Sequence, residues 1–249
     1  MKKIGLTLIF SAFILLANSQ NVEHPDDGYF KRNLGSYTEI GTYVQGQKDG
    51  TWMKIDRNGN IKEIHNYKDG KKHGLETVFG KTGQVERYAY YFDDLKEGPA
   101  MEFYESGKPK VREEYHEGLL VGKKIVYYPN GNIMEETQYR NGKKWGSGKW
   151  YNDKRRLLVQ NYYRDGMFHG KCSTFYENGN VKEETTWDNN VKEGPYTAYY
   201  LTGIVREKGT YHNDQKVGVW ITYDPSGNET GRINYDEKPD EQGDDEGGK

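Results

Sequence analysis

Residues 122–145 read GKKIVYYPNGNIMEETQYRNGKKW, and Gly146 begins the same pattern again. Ile125 and Tyr127 alternate with Val126 and Tyr128, then Pro129-Asn130-Gly131-Asn132 punctuates the chain. A second alternating run follows, with Ile133, Glu135, Thr137 and Tyr139 on one side by strand periodicity. Asn141-Gly142 punctuates again. Neither run reaches about ten residues between turn formers, so a helix has no room there. Two short β-rich runs joined by a glycine-bearing turn make a hairpin, and the second turn leads into the next one.

The leading glycine recurs every 24 residues as Gly50, Gly74, Gly98, Gly122, Gly146, Gly170, Gly194 and Gly218. Seventeen residues after each stands a ring: Tyr67, Tyr91, Tyr115, Tyr139, Tyr163, Trp187, Tyr211 and Tyr235. Five residues after each comes Ile55, Phe79, Phe103, Tyr127, Tyr151, Phe175, Tyr199 or Tyr223. A fixed period of this size means a repeat array, in which each unit buries apolar surface only against its neighbours. The fifth- and seventeenth-position rings are therefore expected to supply most of the core.

Substitutions in the other glycine phases show what the backbone demands. The ninth position holds Gly59, Gly83, Gly107, Gly131, Gly179, Gly203 and Gly227, with Arg155 as the exception. The twentieth holds Gly70, Gly118, Gly142 and Gly166, alternating with Asp94, Asn190 and Asp214. Gly, Asn and Asp are the residues that tolerate a left-handed backbone, so positive φ is expected at both positions. The leading glycine is never replaced, which suggests a second constraint, a ring lying on its missing side chain. Arg155 predicts a different turn at that tip, cornered on Asn152-Asp153.

The ends differ from the array. Lys2 and Lys3, an apolar run from Ile4 to Leu16 and the small-residue stretch Ala17-Asn18-Ser19 describe a cleaved secretory leader, residues 1–19. Residues 20–29 read as a linker and 30–49 as a degenerate capping repeat, marked by Gly35, Tyr37, Tyr43 and Gly46. Eight full units span 50–235, the last decaying at Glu229. The stretch from Asp236 to Lys249 holds seven acidic residues and nothing apolar to bury, so it is expected to be a disordered acidic tail.

The pattern carried by KWGSGKW, NGKKWG, DGMFHG and DGKKHG resembles the MORN repeat, in the 24-residue variant found in bacterial chains often labelled antitoxin-like. The resemblance covers about Gly35 to Tyr235. It implies an elongated sheet of successive antiparallel hairpins, a role in protein interaction, dimerisation or membrane association, and repeats without catalytic residues. Strand spacing leads to the same fold class independently: an all-β, single-layer twisted sheet in an elongated hairpin array. At about 4.8 Å per strand, eight two-stranded units extend on the order of 80 Å.

No constellation in the chain carries chemistry. His73 and His169 share a phase four units apart, as do His116 and His212, while His24 and His65 stand alone. None has metal-ligand spacing. Glu113-Glu114, Glu135-Glu136 and Glu183-Glu184 are adjacent on strands, so each doublet points to opposite faces and pairs across strands with Lys or Arg instead of forming an acid/base pair. Cys172 alone excludes an internal disulfide and reads as packed and inert. No cofactor, metal or catalytic residue is expected. The formal net charge of −2 becomes −4 once Lys2 and Lys3 leave with the leader, which gives no footprint for nucleic acid.

One binding feature remains. Tyr104, Tyr128, Tyr176 and Tyr200 each follow a fifth-position ring, which puts them with Trp150 on the opposite face as a row of exposed rings, a candidate partner-binding platform. The expected function is that of an exported, periplasmic or secreted, non-catalytic scaffold recognising another protein. A module for envelope or extracellular glycan, using those rings, is the alternative; an antitoxin-like neutraliser of a partner protein is a third. Association with lipid head groups also stays open.

Overall fold

The computed structural model describes residues 25–237. The expected leader, the first half of the linker and residues 238–249 of the acidic tail lie outside them. Within the described residues the chain forms one 20-stranded sheet and no helix, from Gly28–Asn33 to Glu229–Asn234. Every pairing is antiparallel and joins neighbours in the chain, as in Leu119–Tyr127 with Ile133–Arg140 and Ile133–Arg140 with Lys143–Tyr151, except where Ile61–Lys68 and Leu157–Arg164 also pair past a two-residue strand. Two of the strands, Lys71–Lys72 and Met167–Phe168, are short pieces set off at His73 and His169 from the strands they lead into. The hairpin array is the one the sequence predicts. Its first strand begins at Gly28, inside the stretch read as linker, and pairs with Tyr37–Val44.

Turn chemistry explains both edges of the sheet. At one edge the two central residues both have positive φ, as in Asn141 (50°) and Gly142 (76°), or Asp93 (47°) and Asp94 (69°). That is the type I′ geometry, whose twist matches the flanking strands. At the other edge the Tyr128 N–H donates to the Asn132 carbonyl and the Gly131 N–H to the Tyr128 carbonyl, both at 2.8 Å, with Gly131 at φ 92°.

The leading glycines all have positive φ, from 60° to 104°. They sit in bulges: Thr137 pairs with Gly148 but Tyr139 with Lys144, so extra residues arch around Gly146. The expected ring on the missing side chain is not there. A Cβ on Gly50, Gly98 or Gly122 would meet nothing within 4 Å, and at the other five leading glycines the nearest atoms belong to no ring. Backbone conformation is the constraint; nothing in the structure explains why Asn and Asp never meet it there.

The same bulges set the faces. Thr137, Tyr139, Lys144, Gly148 and Trp150 share one face, because opposed residues in a ladder point the same way. Almost all the buried side chains lie on that face, including Trp52, Ala89, Ala100, Thr137, Tyr163, Cys172, Tyr196 and Trp220. Its two apolar clusters stand at the ends: Phe30, Tyr43 and Trp52, then Tyr196, Ala198 and Trp220. Each tryptophan lies against a glycine of the preceding strand, Trp52 on Gly41 and Trp220 on Gly209. Each indole N–H donates to the next carbonyl, Thr42 at 3.1 Å and Thr210 at 3.2 Å.

The expectation that fifth- and seventeenth-position rings share a core needs correction. Phe103 sits 6.0 Å from the Tyr88 ring, and the Tyr199 hydroxyl meets Glu184 at 3.5 Å, both on the face opposite Tyr139. A second register shift, between Val126 and Tyr127, also takes Ile133 out of the alternation that joins Glu135, Thr137 and Tyr139. Tyr235 is 44% exposed because no further unit covers it.

Candidate binding surfaces

The five rings expected as one platform occupy two places. Tyr104, Tyr128, Tyr176 and Tyr200 open the hairpin tips, half-buried, and each hydroxyl donates to a carbonyl one unit on. The acceptors are Tyr127 (2.5 Å), Tyr151 (2.9 Å), Tyr199 (2.8 Å) and Tyr223 (2.8 Å). They clamp consecutive tips together. Trp150 lies on the other face, where Lys144 Nζ stands 5.6 Å from its ring and 5.0 Å from Tyr163. Strand alternation does not extend through the start of a turn, which is why these rings do not form one row.

The seventeenth-position rings carry a lysine ladder that the sequence reading missed. Lys48 lies over Tyr67, Lys72 over Tyr91, Lys96 over Tyr115, Lys192 over Tyr211 and Lys216 over Tyr235, at 4.6 to 5.7 Å. These ammonium groups cover ring faces that no second layer covers, and the aliphatic stems add apolar contact. Lysine recurring at the twenty-second position was the available signal. Leu120 and Phe168 replace it, and Phe168 packs between Tyr163 and Trp187, at 5.1 and 5.5 Å. Burial raises the hydroxyl pKa of Tyr67, Tyr91 and Tyr139, and pushes Tyr196 up to about 12.

The titratable groups are paired within the array. His65 bridges Glu63 (2.7 Å) and Glu76 (2.9 Å), and Lys72 reaches Glu76 at 2.5 Å. The His65 hydrogen bond, then Lys72, hold the Glu76 carboxyl down at about 2. His73 meets Asp93, His169 meets Asp188, His116 meets Glu97 and His212 meets Glu193. In the glutamate doublets Glu136 pairs with Lys123, and Glu184 with Lys171, on one face. Glu135 and Glu183 accept from Thr137 and Thr185 on the other. Cys172 is buried, and burial pushes its thiol up, away from the reactive thiolate. Among the described residues no group of three or more His, Cys, Asp or Glu is placed to hold a metal ion.

Two surfaces stand apart from this internal pairing. On the type I′ edge Phe92, Leu95 and Leu119 are 58%, 51% and 48% exposed. They follow from turn to turn: a Cβ on Gly118 would stand 3.3 Å from Leu95, and one on Gly142 3.5 Å from Leu119. On the opposite edge a cavity of about 490 Å³ is lined by Tyr127, Gly131, Asn132, Ile133, Tyr151 and Arg155. The turn at Arg155 is not the different type expected. Arg155 takes φ 66°, its N–H donates to the Asn152 carbonyl at 3.0 Å, and Asn152 donates to Arg156 at 2.9 Å. The glycine geometry is kept without the glycine.

The pattern of the MORN repeat variant family matches residues 48–69, 96–117, 120–141, 168–189 and 192–213. The chain is a MORN-variant repeat protein. MORN repeats are in general interaction and scaffold modules, and the family is a non-catalytic one. No curated protein matches the sequence significantly. Between the matched units, residues 70–95 and 142–167 fold into the same hairpins, so the MORN ladder runs on where the family pattern fades. The second of these stretches contains Arg155.

Proposed function

We propose that this MORN array is an exported scaffold that binds another protein along its type I′ edge. The observation that carries this reading is the exposed apolar run Phe92, Leu95 and Leu119 on consecutive turns. A contiguous apolar patch at a sheet edge is costly in water and marks a surface that a partner covers. Side chains there are free of the ladder's own hydrogen bonding, so evolution can vary them without loss of fold. Export rests on the leader-like residues 1–19.

The test is photo-crosslinking from positions 92, 95 and 119 in the envelope and secreted fractions, beside a glycan array. A protein adduct lost in the F92S/L95S/L119S triple variant, at unchanged melting temperature, supports the proposal. Binding to polysaccharide alone, with no adduct, overturns it.

A further inference from the structure

Seven units place glycine at the ninth position and one places Arg155 there, at φ 66°. An L-residue is strained in that conformation, and strain kept at one unit of a regular array points to a gain elsewhere. The Arg155 Nε donates to Asn132 Oδ1 at 2.7 Å, which fixes the guanidinium at the cavity it shares with Tyr127, Ile133 and Tyr151. One N–H of the five is used by that bond, and no other partner holds the guanidinium among the described residues. Lys154 and Arg156 flank it in sequence, so the tip is basic.

The lining decides the ligand chemistry. Asn132 is committed on both sides of its amide, since its Nδ2 donates to the Asp153 carbonyl at 2.7 Å. What remains is the rings and phenol groups of two tyrosines, the side chain of an isoleucine, and one cation. A neutral sugar would bring no charge for the one cation to pair with. A carboxylate beside an apolar side chain satisfies both parts, because guanidinium binds carboxylate by paired, charge-assisted hydrogen bonds.

We propose that the cavity is a subsite for an acidic residue of a partner polypeptide, with Arg155 binding the carboxylate and an adjacent apolar side chain lying between Tyr127 and Tyr151. The cavity lies on the edge opposite Phe92, Leu95 and Leu119, so the subsite goes beyond binding along the type I′ edge and rests on the reading of the array as a protein-binding scaffold. Arg155 is then a specificity residue, kept at a cost in local conformation.

A phage library of random heptapeptides panned against the protein tests it, followed by affinities of the enriched peptides for wild type, R155G and R155K. The expected peptides carry Asp or Glu beside an aromatic or aliphatic residue. R155G weakens them at least tenfold while melting above the parent, and R155K keeps part of the affinity. Enriched peptides without an acid, or bound equally by R155G, overturn the subsite and leave the scaffold reading standing. If no peptide is enriched, and glucuronate-containing oligosaccharides bind wild type but not R155G, the ligand class is overturned at this edge, while binding along the type I′ edge stands or falls on its own crosslinking. No binding of either probe overturns the subsite.

Discussion

Trp220 rests on Gly209, as Trp52 rests on Gly41 at the other end of the sheet; a Cβ on either glycine would overlap the indole. These two contacts bury the tryptophans to 3% and 1% exposure on a face that no second layer covers. Gly209→Ala should therefore lift Trp220 off its strand and strain its bond to Thr210, costing about 2–3 kcal/mol. Hydrogen exchange should show protection lost around residues 194–235 and kept around Phe30, Tyr43 and Trp52, since each unit couples mainly to its neighbours.

Much of this was legible beforehand. The 24-residue glycine phase and the Gly/Asp/Asn exchange at the twentieth position reported hairpins and positive φ directly, because few residues tolerate that backbone. The faces were not legible. A bulge around each leading glycine and a second opposite Val126 and Tyr127 shift the register twice per unit and set the fifth-position rings on the face opposite Tyr139, while counting by twos into the turn put the tip tyrosines in one row with Trp150. Arg155 was read as a departure in geometry because its side chain breaks the pattern, yet tertiary pairing holds its backbone to it.

That finding gives a stability prediction. Arg155→Gly should stabilise the protein by about 1 kcal/mol, the relief of a left-handed L-residue less the lost bond to Asn132. Urea denaturation measures it through the midpoint. An unchanged or lower midpoint would mean that the guanidinium contributes more to the fold than its backbone costs.

The tip clamps give a second. Tyr128→Phe removes the hydroxyl donated to Tyr151 and should cost about 1 kcal/mol. Thermal melting checks the amount. Hydrogen exchange should place the loosening at the tips of the units led by Gly122 and Gly146.

Acid should weaken the array through Glu76. Its carboxyl is held at about 2, first by the His65 hydrogen bond and then by Lys72, against an ordinary glutamate value of 4.5. A carboxyl lowered on folding contributes stability above the unfolded pKa and loses it as pH falls through the folded one. Glu76→Gln should thus cost about 2 kcal/mol at pH 6, with the difference from the parent shrinking between pH 4.5 and 2. Urea titrations across that range read it. A difference independent of pH would show that shape, and not charge, matters at this position.

The shape of the array is the claim on which the rest depends, and small-angle X-ray scattering from the chain beginning at Gln20 tests it most directly. Stacked hairpins on the order of 80 Å long predict a radius of gyration near 25 Å, roughly. A value near 17 Å, roughly that of a compact domain of this size, would contradict the account.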